Sequence, residues 1–149
     1  ILNRITQNRA KGRNTFIFID EIYLLFQHEY SANFLFTLWK RVRKYGACCT
    51  GLTQNVDDLL QSHTARTMLA NSEFLVMLNQ AATDRTELAR LLNISDNQLS
   101  YITNVDSGRG LIKCGSAIVP FMDNFPKNRL YRLMTTKPDE SIIVGGKTK

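Results

Sequence analysis

The segment Thr15-Phe16-Ile17-Phe18-Ile19-Asp20-Glu21 constrains the chain most, because an unbroken apolar run ends abruptly in two acids. A short run of β-branched and aromatic residues reads as a strand buried on both faces. Carboxylates at the end of such a strand are costly to bury, so they emerge where the strand meets solvent or a ligand. In open α/β sheets that place is the carboxyl edge, where ligands bind. There one acid can hold Mg²⁺ through water while its neighbour activates or orients an attacking water. The same pair also suits a plainer role, with Asp20 capping a helix that starts near Ile22 and Glu21 favouring that helix's positive end.

With 149 residues, 44% of them hydrophobic, the chain has enough apolar material for one domain with a real core. No apolar run approaches the roughly 20 residues needed to cross a bilayer, and no signal-peptide pattern opens the chain. A net charge of +6 suits an anionic partner such as nucleic acid or acidic lipid. The densest basic cluster, Lys40-Arg41-Val42-Arg43-Lys44, fits nucleic-acid contact or the solvated end of a helix. Cys48, Cys49 and Cys114 fit neither a metal spacing nor an even disulfide framework and read as packing residues of a cytosolic protein. His28 and His63 stand apart from any Cys/His constellation, which argues against zinc.

Residues Ile1 to Lys11 read as the tail of a helix, so the sequence resembles a piece of something longer. Ile22, Phe26, Tyr30, Phe34, Leu38 and Val42 recur every four residues, predicting one helix over 22–45 that Gly46 stops. Ala47 to Thr53 and Glu73 to Leu78 read as further buried strands, with short helices at Asp57–Gln61 and Ala65–Ala70 between them. Helices follow at Thr83–Leu92, with Thr83 as its cap, and at Ser95–Ile102, where Ser95 and Gln98 form a capping box. Arg109–Cys114 and Ala117–Met122 read as a hairpin around Gly115-Ser116, and Leu130–Met134 as a final strand. Strands alternating with helices predict an α/β fold with a mostly parallel sheet flanked by helices and a C-terminal antiparallel hairpin.

Parallel neighbours bring their carboxyl ends to one edge. Asp20 and Glu21 would meet Thr53, Gln54 and Asn55 there, with Asn79 and Gln80 leaving the third strand. An amide can orient water against a phosphate. The chain contains no G-x-x-x-x-G-K-[ST] loop to cradle phosphates, and Gly145-Gly146-Lys147-Thr148 lacks the preceding glycine, strand and following helix.

Phe16 to Glu21, then Arg43-Lys44-Tyr45-Gly46, then Leu52-Thr53-Gln54-Asn55-Val56-Asp57-Asp58-Leu59 together resemble the C-terminal half of the conjugative-transfer ATPases. These are the VirB-four-like motors of type IV secretion systems, related to the FtsK/HerA translocases. Asn71, Phe74 to Gln80, the helices from Asp84 and Ser95, Gly108-Arg109-Gly110-Leu111 and Thr136 to Glu140 extend the resemblance over most of the chain. It implies a RecA-like P-loop NTPase fold over residues 1–140 without its phosphate-loop half, followed by a disordered tail at 141–149. It further implies ATP and Mg²⁺ as cofactors and assembly as an oligomer, commonly a hexamer. The setting would be the cytoplasmic side of a transfer channel, peripheral to the membrane's inner face, with channel proteins and DNA as partners. Carried over, Asp20 corresponds to the Walker B acid that holds Mg²⁺ through water, and Glu21 to the catalytic base. Gln54, beside Thr53 at the nucleotide, would sense the γ-phosphate, and Arg43 or Arg109 would serve as an arginine finger for a neighbouring subunit. A DNA-pumping translocase or coupling protein is the alternative within the superfamily. A non-catalytic assembly or nucleic-acid-binding module is the alternative outside it.

Overall fold

The computed structural model describes residues 1–54 and 56–134. Two small sheets and seven helices build it, in the order α1 (Leu2–Ala10), β1 (Thr15–Ile19), α2 (Glu29–Arg41), β2 (Ala47–Gly51), α3 (Val56–Gln61), α4 (His63–Ala70), β3 (Phe74–Met77), α5 (Ala82–Leu92), α6 (Asp96–Leu99), β4 (Arg109–Cys114), β5 (Ala117–Met122) and α7 (Arg129–Met134). β1 and β2 pair in parallel, with Thr15 opposite Ala47 and Ile19 opposite Gly51. The expected hairpin forms, β4 against β5, turning at Gly115 with φ of +56°.

The third strand departs from the expectation. β3 joins the hairpin, antiparallel to β4 with Met77 opposite Leu111, and is not hydrogen-bonded to the parallel pair. The result is an α/β fold with a two-stranded parallel sheet and a three-stranded antiparallel one. Gly110 makes the β3–β4 approach possible, since a Cβ there would run into the Met77 carbonyl and come within 2.9 Å of the Phe121 ring.

The helix predicted over 22–45 is three pieces. Ile22–Phe26 is a 3₁₀ turn, His28 is extended, α2 begins at Glu29, and a second 3₁₀ turn covers Val42–Tyr45. The break is held by the Ser31 hydroxyl, which donates to the carbonyls of Leu25 at 2.6 Å and His28 at 2.9 Å. A strict spacing of four also drifts about 40° per step around a 3.6-residue turn. Tyr30, at 88% exposure, and Phe34 therefore leave the core, and Ala32, Leu35, Leu38 and Val42 supply its buried stripe. Gly46 does end the segment as expected, in the left-handed region.

Leu130–Met134 is helical rather than a strand. The Asn128 side chain accepts from the Tyr131 amide at 3.1 Å, and Leu130, Leu133 and Met134 follow helical spacing. Thr83 lies inside α5, its hydroxyl donating to Asp84, and Ala81 occupies the cap position. The Ser95–Gln98 capping box is present. The tail at 141–149 and the Thr136–Glu140 segment lie outside the described residues.

Two apolar clusters hold the elements together. Ile5, Ile22, Leu35, Leu38, Leu59 and Met68 centre the first; Leu60, Met77, Leu88, Leu92, Ile102 and Leu111 centre the second. α3 stands between them, contributing Leu59 to one and Val56 and Leu60 to the other. β1 is not buried on both faces: Ile17 and Ile19 pack inward, while Phe16 and Phe18 are 67% and 71% exposed. Cys48 and Cys114 are likewise exposed, contrary to a packing role. Cys49 is half-buried, and its thiol is pushed up to about 11, first by burial and then by neighbouring Cys48.

Leu35 is 1% exposed at the centre of the first cluster. Leu35→Ala should lower unfolding stability by about 2–5 kcal/mol, read from the urea midpoint at unchanged slope. A loss below about 1 kcal/mol would mean that this cluster is not the stabilising core.

Candidate functional site

The local fold at the carboxyl ends of β1 and β2 follows from one backbone residue. Past the last paired residues, the Leu52 amide donates to the Ile19 carbonyl at 2.8 Å, and the Leu52 carbonyl accepts from the Ile22 amide at 2.9 Å. These two bonds clasp the Ile19-Asp20-Glu21-Ile22 turn against Leu52-Thr53-Gln54. Asp20, Glu21, Thr53 and Gln54 therefore leave the sheet side by side at one edge, as the sequence pattern anticipates.

Within that turn the Asp20 side chain is exposed and its Oδ1 accepts from the Glu21 amide at 3.0 Å. Glu21 occupies the left-handed region, with φ of 47° and ψ of 47°. Such a conformation is uncommon for a residue with a Cβ and costs of order 1–3 kcal/mol. Glu21 does not cap the following turn with its side chain. Its Oε2 is buried without a hydrogen-bond partner. Glu21 holds the cap position of the turn that starts at Ile22, at its positive end as the plainer reading has it, but its side chain makes no capping bond, and among the described residues Oε2 has no partner. Buried polar atoms of this kind need an explanation, and an absent ligand is one.

Gln54 is exposed and Thr53 half-buried. Asn55 lies outside the described residues. Val56 and Leu60 anchor α3 immediately afterwards, so the Thr53-Gln54 segment is fixed between the clasp and a buried helix. Asn79 and Gln80 are spent on bracing. Asn79 Oδ1 accepts from the Val105 backbone amide, and Gln80 Nε2 donates to the Leu78 carbonyl while its backbone N–H donates to the Ile102 carbonyl.

The two arginines sit elsewhere. Arg43 is exposed in the 3₁₀ turn that precedes β2, at the amino end of the sheet. A five-residue strand separates it from the acids by roughly 16 Å. Arg109 opens β4 in the second sheet and lies 3.7 Å from Asp106. Among the described residues neither forms an ion pair with Asp20 or Glu21. No group of three or more His, Cys, Asp or Glu comes together among the described residues. The oxygen donors of Asp20, Glu21 and Thr53 are nonetheless the hard type that Mg²⁺ takes, and that ion commonly uses one or two protein carboxylates plus phosphate oxygens.

Reading the sequence misses the clasp, the Glu21 strain and the role of Gly51. A Cβ at Gly51 would meet Ile22 Cδ1 at 2.5 Å and Cγ2 at 3.3 Å. Glycine at a strand end, next to a polar pair, is the available signal for such a close approach. Arg85 Nη1 is the other buried side-chain atom without a partner among the described residues, and no pattern in the sequence marks it.

Gly51→Ala should destabilise the chain by about 1–3 kcal/mol through overpacking, and Ile22→Val, which removes Cδ1, should recover part of that loss in the double variant. Additive effects in the double-mutant cycle would show that the two residues are not in contact.

Comparison with known proteins agrees with this geometry. The profile of the TraG P-loop domain matches residues 3–113. The solved structure of VirB4 of Thermoanaerobacter pseudethanolicus superposes with a TM-score of 0.72 at 24% identity, covering 83% of this chain and 35% of that one. The chain therefore spans about a third of the length of that structure and shares its fold. No curated protein matches. Because the profile match takes in most of the sequence, strand-end acids and Thr-Gln segment included, the chain belongs to the TraG P-loop domain family.

Proposed function

We propose that this chain forms the metal- and water-facing part of an ATPase site in a motor for conjugative transfer through a type IV secretion channel. The observation that carries the reading is the Leu52 clasp, which sets an acid pair with a strained, unpartnered glutamate beside a Thr-Gln strand end. In this reading Asp20 holds Mg²⁺ through water and Thr53 lies beside it. Glu21 takes the proton of the attacking water, and Gln54 orients that water toward the γ-phosphate. Bound ATP·Mg²⁺ supplies the labile phosphoanhydride and charge neutralisation. Glu21's buried oxygen gains its partner only when that water is present, which gives the strain a use.

In this reading the phosphate loop is supplied from outside these residues, by the same polypeptide or by another subunit, since no G-x-x-x-x-G-K-[ST] occurs here. Exposed apolar side chains support such a completing part. Phe16 and Phe18 on the parallel sheet, and Phe74 and Val76 on β3, lie bare on sheets of a fold class that covers both faces. By itself the chain is expected to be inactive. Arg43, too far along the strand to serve its own acids, is suited to a neighbour's nucleotide in an oligomer such as a hexamer, and Arg109 is the second candidate.

The test is ATP turnover by the complete protein. Glu21→Gln should lower kcat by at least about 10²-fold while leaving nucleotide affinity within about threefold. Gln54→Ala should lower kcat by about 10-fold or more with little change in affinity. Turnover retained in Glu21→Gln would remove the acid pair from the chemistry. DNA-stimulated turnover would instead favour the DNA-pumping translocase reading.

A further inference from the structure

Away from the acid pair, the opposite end of the molecule carries a second feature. α1 lies across the C-terminal half of α2 and the 3₁₀ turn after it, leaving a cleft of about 210 Å³. Leu2, Ile5, Phe34, Leu38, Val42 and Tyr45 make its apolar surface. That volume is below the ~300–1,000 Å³ typical of small-molecule sites, so it holds one or two anchoring side chains rather than a whole cofactor.

The surroundings of the cleft are cationic. Arg41 lines it directly. Arg9 lies beside it, donating from Nη1 to the Lys44 carbonyl and lying 5.7 Å from the ring centroid of the lining residue Tyr45. The two segments that build both walls, residues 1–19 and 30–56, contain no Asp or Glu at all. Their basic side chains are exposed, among them Arg9, Lys40, Arg41 and Lys44. Among the described residues none of these cations has a carboxylate partner, so the positive field of this end is uncompensated.

We infer that this cleft is a docking site for an acidic, apolar-anchored segment of a partner protein, seated as a helix in a groove. Two complementary properties of the cleft select that chemistry. The apolar floor takes one or two side chains from the apolar face of an amphipathic helix, and the cationic rim takes carboxylates on its flanks. A nucleic-acid backbone would satisfy the cations and leave the apolar floor unfilled. An acidic bilayer surface is flat on this scale and cannot enter a concave cleft. The inference does not use the acid pair, because none of Asp20, Glu21, Thr53 and Gln54 lines the cleft.

The experiment is fluorescence anisotropy with the full-length protein and a labelled helical peptide carrying leucines at i, i+3, i+4 and i+7 and glutamates elsewhere. A control peptide has the leucines replaced by serine. Duplex DNA and vesicles of phosphatidylglycerol are tested beside them. The leucine peptide should bind, with the serine control weaker by at least about tenfold. Arg41→Glu and Thr37→Glu, the latter placing a carboxylate in the cleft wall, should each weaken it about tenfold or more, whereas Arg41→Lys should keep most of the affinity. Circular dichroism and unchanged ATP turnover in the variants establish that they fold. Equal binding of both peptides, no binding of either, insensitivity to both glutamate variants, or tighter binding of DNA or vesicles than of the leucine peptide would each overturn the inference.

Discussion

The nucleotide site proposed for this chain depends on the Leu52 clasp. The backbone of one residue, donating to Ile19 and accepting from Ile22, carries the parallel register past the last strand residues. It fixes where the acid pair turns out of the sheet relative to the Thr-Gln pair. Backbone hydrogen bonds are costly to leave unmade, so these two hold the turn beside the Thr-Gln segment. Gly51 lets Ile22 come close enough for the clasp to form, and Ile22 is itself a core residue. Core packing and site geometry are thus set by the same few atoms.

The strain at Glu21 makes sense against that background. A left-handed backbone persists only where the surroundings over-determine it, and here the clasp on one side and the buried Ile22 on the other do so. The strain is held at the residue whose carboxylate oxygen is buried without a partner. The chain belongs to the TraG P-loop domain family and shares its fold with VirB4. The two bare sheet faces agree with a site that further structure completes.

Much of this was legible in the sequence where local rules are strong. An apolar run ending in Asp20-Glu21, the Gly46 stop, the Ser95 capping box and the hairpin at Gly115 each rest on a short-range cause, and each appears. The misreadings are of pairing and packing at long range, and of local side-chain bonds that interrupt a helix. Nothing local shows that β3 pairs with β4 instead of extending the parallel sheet. A four-residue spacing cannot reveal that Ser31 breaks the helix by capturing two carbonyls. Phe16 and Phe18 satisfy the pattern of a doubly buried strand, yet one face stays bare, because burial depends on what packs there. The meeting of Asp20 and Glu21 with Thr53 and Gln54 at one strand end was readable; the clasp, the Glu21 conformation and the clearance at Gly51 were not, since they arise from backbone geometry between segments about 30 residues apart.

The most direct measurement of the central claim is the Mg²⁺ dependence of ATP affinity in the complete protein, wild type beside Asp20→Asn. If Asp20 holds the ion, Mg²⁺ should tighten ATP binding in the wild type and give at least about tenfold less tightening in the variant, with equal affinities when Mg²⁺ is removed by chelation. An identical Mg²⁺ response in the two proteins would contradict the account, because the acid at the end of β1 would then have no part in the nucleotide site.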